Sequence, residues 1–78
     1  MEDTPMTIYI KQGLDEAIML EVKPSDVLAD VKKKLIEAGG KVDKYTKFIA
    51  NGRVVREDVP LQYQGSPKYW VGGPGVSN

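Results

Sequence analysis

The sequence predicts an α+β domain in which a mixed sheet of four to five strands carries one helix across one face, in the order β-β-α-β-β-β. Three observations carry that prediction. One segment only, Val22 to Gly40, has a helical apolar period. The stretches before and after it alternate apolar and polar residues with the period of two that belongs to strands. Asn51-Gly52, between two such stretches, is a strong hairpin signal of the type I′ kind.

Met1 to Pro5 has no pattern and is expected to be a flexible tail. From Met6 to Gln12 the residues Met6, Ile8 and Ile10 share one face, with Thr7, Tyr9 and Lys11 on the other. Ala17 to Lys23 alternates again, with Ile18, Leu20 and Val22 on one side. The Gly13-containing loop between them predicts an antiparallel hairpin. In the helix, Leu28, Val31 and Leu35 follow the i, i+3, i+7 rule, and Lys32 to Lys34 fall mostly off that stripe as a solvated face. Pro24 ends the second strand, and Gly39-Gly40 stops the helix. Val27 has no side-chain acceptor, so Ser25 or Asp26 is expected to cap and to shift the helix start. Tyr45 to Ala50 and Arg53 to Arg56 are the next two strands, joined by the Asn-Gly turn. Glu57 to Pro67 reads as an irregular loop anchored by Leu61 and Tyr63, and Lys68 to Val71 as a last strand. Residues 6–71 thus form the domain, and 72–78 a flexible tail or linker. If the first and last strands both lie at the sheet centre they pair parallel, which is the β-grasp arrangement.

Composition narrows the function. Seventy-eight residues make at most one small domain. There is no cysteine and no histidine, so disulfides are excluded, no zinc site has a basis, and the commonest general base is absent. Eleven basic and eleven acidic side chains cancel, whereas a chain built to hold nucleic acid carries a positive excess. No apolar run is long enough to span a bilayer. An intracellular, monomeric protein of the cytoplasm or nucleus, with no membrane or nucleic-acid partner, is the expectation. Catalysis finds little support. Ser25 and Ser66 read as cap and turn residues, Glu57-Asp58 has no companion base, and Gly72-Gly73-Pro74-Gly75 lacks the Gly-Lys-Ser/Thr of a phosphate loop. Neither enzymatic activity nor a cofactor is expected.

Several motifs keep their mutual spacing in a way that resembles ubiquitin. Met6-Thr7-Ile8-Tyr9-Ile10-Lys11 is similar to its opening strand. Leu20-Glu21-Val22-Lys23-Pro24-Ser25-Asp26 is nearly the Leu-Glu-Val-Glu-Pro-Ser-Asp that leads into its helix. Val31-Lys32, Leu35 and Gly40 fall on helix positions of the same kind, and Lys47 to Arg53 resembles Arg-Leu-Ile-Phe-Ala-Gly-Lys. The resemblance runs from about Met6 to Val55 and identifies the chain with the ubiquitin-like family. The last third departs. The loop before Lys68 is several residues shorter, and the Leu-Arg-Leu-Arg that precedes ubiquitin's terminal Gly-Gly is missing.

That resemblance implies a binding domain of a longer protein, tied to the ubiquitin–proteasome system through ubiquitin-receptor, proteasome or ligase components. It places Ile49 at the centre of the family's contact patch. If Phe48 enters the core, Ile49 must be exposed, although a lone surface isoleucine is also common. Trp70 has two possible facings. With Tyr69 and Val71 buried it stands beside Ile49 as an interface anchor, and in the opposite register it joins the core while Tyr69 and Val71 join Ile49. Lys47 and Arg53 are expected to rim the patch, suiting an acidic or amphipathic partner helix. Gly72-Gly73 offers an alternative function, a conjugated modifier processed after Gly73, against which stand the linker-like tail and the poor cleavage site before Pro74. A sulfur carrier, sharing the fold and a terminal Gly-Gly, is a third.

Overall fold

A computed structural model describes residues 4–73. Strands β1 (Met6–Gln12) and β2 (Ile18–Val22) form the first hairpin, and helix α1 (Leu28–Glu37) follows directly. Then come β3 (Lys47–Ala50), β4 (Arg53–Val54), a 3-10 turn (Leu61–Gln64) and β5 (Tyr69–Gly73). The sheet order is β2-β1-β5-β3-β4. Strands β1 and β5 lie parallel at its centre, and every other pairing is antiparallel. This is the β-grasp arrangement of a ubiquitin-like fold.

Alternation sorts the side chains as hydropathy requires. Ile8, Ile10, Leu20, Val22, Phe48, Ala50 and Trp70 point to one side of the sheet, where Leu28, Val31 and Leu35 of α1 cover them. Leu61 and Val55 close the core at the far end. The Asn51-Gly52 turn has φ of 56° and 75°, both positive, as a type I′ hairpin demands.

The helix ends as expected and begins otherwise. Gly40 N–H donates to Leu35 O at 2.8 Å and Gly39 N–H to Ile36 O at 3.0 Å, the paired bonds of a Schellman stop. At the other end Val27 itself is the N-cap, so the start does not shift to Ser25 or Asp26. Asp30 Oδ2 accepts the Val27 N–H at 3.2 Å, the half of a capping box that needs no oxygen on the cap residue. Asp26 is occupied elsewhere. Its Oδ2 accepts the Lys23 N–H at 2.9 Å and lies 3.3 Å from Lys34 Nζ. Lys34 also donates to Glu21 O at 2.9 Å, tying α1 to β2, and Lys32 pairs with Glu57 at 3.3 Å. Two of the three lysines expected on the solvated face, Lys32 and Lys34, thus also tie the helix to its neighbours.

The segment 56–67 is held in place by few contacts. Leu61 is fully buried, whereas Tyr63, expected as a second anchor, is 75% exposed. Gln64 supplies the missing hold: its Oε1 accepts Arg56 N–H at 2.8 Å, and its Nε2 donates to Arg56 O at 3.0 Å and Val59 O at 2.7 Å. Leu61 N–H and Gln62 N–H donate to Asp26 O and Pro24 O, both at 2.9 Å, and so dock the turn against the segment that leads into the helix.

Strand β5 runs two residues past the domain end expected at Val71. Gly72 pairs with Gln12 and Phe48, and Gly73 with Lys47. Residues 1–3 and 74–78, the remainder of the two expected tails, lie outside the described residues.

Candidate functional site

The helix covers one face of the sheet and leaves the other open. The register arranges that open face in rows. Thr7 stands opposite Glu21, and Tyr9 lies between Met19 on β2 and Tyr69 on β5. In the next row Lys11 neighbours Val71, Val71 neighbours Ile49, and Ile49 neighbours Val54. Met19, Ile49, Val54, Tyr69 and Val71 are all exposed. The Tyr9 and Tyr69 rings stack at 5.5 Å with an interplanar angle of 17°, so the centre of the face is paved and pre-ordered. Together these side chains make a band from β2 to β4 with no element over it among the described residues. Lys11 and Lys47 stand beside it.

Each residue expected at the patch can now be placed. Ile49 is 45% exposed and faces outward while Phe48 is buried. Lys47, two residues earlier, shares that face and is exposed. Trp70 does not. It is 1% exposed, meets Phe48 edge-on at 6.0 Å, and donates its Nε1–H to Pro67 O at 3.0 Å. A core this small gains more from burying the indole, provided its N–H finds an acceptor, than from exposing it. Of the two facings, the one that turns Tyr69 and Val71 outward is therefore adopted. Arg53 is also displaced. It stands opposite Ala50, whose side chain enters the core, so it projects to the helix side of the sheet and not to the rim around Ile49. The tight turn between Ala50 and Arg53 fixes that parity. Val54 takes the place expected of Arg53. Val54, Tyr9 and Met19 were not expected in the site, and the signal for them was the unused half of each alternation.

Gly72 and Gly73, the candidate conjugation tail, are strand residues here. Gly72 is buried opposite Phe48, and a Cβ on it would overlap the Phe48 ring. Its lack of a side chain is thus used by the core, since the Phe48 ring approaches the strand closely at that point.

Two further polar side chains tie the segment between α1 and β3 together. Asp43 accepts hydrogen bonds from Thr46 Oγ1 at 2.9 Å and Tyr45 N–H at 2.8 Å, and the Thr46 hydroxyl, foremost, with the Tyr45 N–H next, holds its carboxyl below the usual aspartate range. Gln12 bonds the Lys41 backbone twice, at 2.7 and 3.1 Å, and secures the segment between α1 and β3. Among the described residues no cluster of acidic side chains is placed to hold a metal ion, and no helix is long and apolar enough to cross a membrane.

No protein-family profile matches the chain, and no curated protein is similar in sequence. Many solved structures share its fold. One, described in the words "Molecular Mimicry of SUMO promotes DNA repair", superposes with a TM-score of 0.75 at 11% identity, covering 92% of this chain and 94% of that one. At that identity the likeness is one of fold, and the fold is ubiquitin-like over nearly the whole of both chains.

Proposed function

We propose that the chain is a non-catalytic ubiquitin-like interaction domain, part of a longer intracellular protein, and that it docks other proteins on the open face of its sheet. The observation that carries this reading is the apolar band Met19, Tyr9, Tyr69, Val71, Ile49 and Val54, uncovered in a domain small enough to need every apolar side chain for its core. Stacked tyrosines and β-branched residues on a rigid sheet lose little entropy when a partner lands on them. The flanking lysines favour a partner segment that is amphipathic with acidic edges. Components of the ubiquitin–proteasome pathway, in the cytoplasm or nucleus, are the partners suggested by the resemblance of the helix lead-in, and the structural neighbour described as a SUMO mimic fits a role in recognition.

The alternative is a modifier conjugated through Gly73. It would need Gly72-Gly73 to leave the sheet, and the packing of Gly72 against Phe48 supports the docking reading over it.

The test is an amide-shift titration of the labelled chain with purified ubiquitin-receptor, proteasome and ligase domains. Shifts should concentrate on Tyr9, Met19, Ile49, Val54, Tyr69 and Val71, and Ile49→Ala should weaken binding by at least about 1 kcal/mol, as for a residue central to an interface. Shifts confined to other surfaces would overturn the reading, as would cellular isopeptide adducts ending at Gly73 by intact mass.

A further inference from the structure

Arg53, which lies off the open face, shares a second surface feature with Arg56. A cleft of about 480 Å³ lies between the β3–β4 hairpin and the loop that carries the 3-10 turn. Its wall is formed by Arg53, Val54 and Arg56 on one side and by Val59, Tyr63 and Gln64 on the other. No acidic residue lines it, so in a chain of zero net charge it holds two uncompensated positive charges. Neither guanidinium makes an ion pair or a side-chain hydrogen bond among the described residues. The nearest candidate in the sequence, Glu57, is drawn away to Lys32 at 3.3 Å. Tyr63 is 75% exposed at the edge of the cleft, so its ring is accessible to a segment that enters there.

The scaffold beneath is fixed. Gln64 holds both the N–H and the C=O of Arg56 and the C=O of Val59, so the two walls are joined at their base. Arg53 follows a type I′ turn with no freedom of register. A guanidinium presents a planar fork suited to a carboxylate, and two of them on a rigid frame beside an aromatic ring suit an extended chain bearing more than one.

We infer that this cleft is a docking site for an acidic peptide segment, whose carboxylates pair with Arg53 and Arg56 while its backbone lies along Tyr63. The site stands apart from the sheet face. Val54 borders both, so a partner could occupy the two together, but neither requires the other.

The experiment titrates the full labelled chain with a hexaglutamate peptide and, separately, a hexaglutamine peptide. The glutamate peptide should shift the signals of Arg53, Arg56, Tyr63 and Gln64, including the guanidinium Nε–H resonances, and the effect should fade as salt is raised. Arg53→Gln and Arg56→Gln should each weaken it by roughly tenfold, as expected for loss of one charge-assisted contact, and together abolish it. Ile49→Ala, which targets the sheet face, should leave it unchanged, so failure here and failure of the sheet-face reading are separable. Equal shifts with hexaglutamine would overturn the inference, as would glutamate shifts centred on Lys32 and Lys33. So would binding of a phosphorylated peptide with none of hexaglutamate. Because both arginines are exposed, the variants should keep the amide spectrum of the folded chain, which checks that any loss is local.

Discussion

The two faces of the sheet are nearly equal in apolar content and opposite in fate. The inner face presents Ile8, Ile10, Leu20, Val22, Phe48 and Trp70 to the helix and is dry. The outer face presents Tyr9, Met19, Ile49, Val54, Tyr69 and Val71 to solvent. Hydropathy alone does not separate them. What separates them is the single amphipathic helix, which can cover only one side, and the chemistry of the side left over. There the large rings carry hydroxyl groups, and lysines stand at the margins, so the face tolerates water while it waits for a partner.

If that contrast is right, substitutions on the inner face should act on stability and those on the outer face on binding. The largest effect belongs to Trp70. Trp70→Ala should cost about 3–5 kcal/mol by chemical denaturation, since it removes a fully buried indole and leaves Pro67 O without its donor. An effect below about 0.5 kcal/mol would mean that the indole is on the outer face after all. Next is Gly72→Ala, expected to cost about 1–3 kcal/mol because the new methyl group meets the Phe48 ring. If the same change proved neutral, the last strand would not be seated as described. Ile49→Ala should alter stability by no more than about 0.5 kcal/mol while weakening partner binding, and a larger loss would exchange the roles of the two faces. The smallest effect is acid sensitivity. One acid-sensitive contact lies off both faces, in the loop that leads into β3. The Asp43 carboxyl titrates lower in the folded chain than in the unfolded one. Its contribution is therefore complete above the ordinary aspartate pKa and is lost as the pH falls through the lowered value. Urea midpoints followed from about pH 5 to pH 2 should fall less steeply in Asp43→Asn than in the parent.

Most of the architecture was legible because period and turn chemistry agree. Leu28, Val31 and Leu35 could only be a helix stripe, and Asn51-Gly52 could only be a tight turn between strands. The misplacements fall where a one-residue parity decides. In Tyr69-Trp70-Val71 both faces are apolar, so alternation could not choose, and the hydrogen bond from the indole to Pro67 did. Arg53 reads as a rim residue until the two-residue turn is counted through, after which it must share the side of Ala50. Tyr63 resembled a loop anchor by its neighbours, but the anchoring is done by Gln64, whose three bonds no local pattern announces. Gly72-Gly73 has the composition of a linker. It is a strand because Phe48 needs a bare backbone opposite it, which is a property of the partner and not of the glycines.

The parallel pairing of β1 with β5 has a kinetic consequence. Tyr9 meets Tyr69 and Gln12 meets Gly72, so the middle of the sheet joins the two ends of the described chain. During synthesis the β1–β2 hairpin, the helix and the β3–β4 hairpin can form early from local contacts, but they remain two half-sheets with a gap between them. Among the described elements only β5 can fill it, and of those it is the last to be made. The domain should therefore close in one late, cooperative step, at a rate governed by bringing distant segments together. A nascent chain still holding β5 within the ribosome would expose both inner edges to the cell.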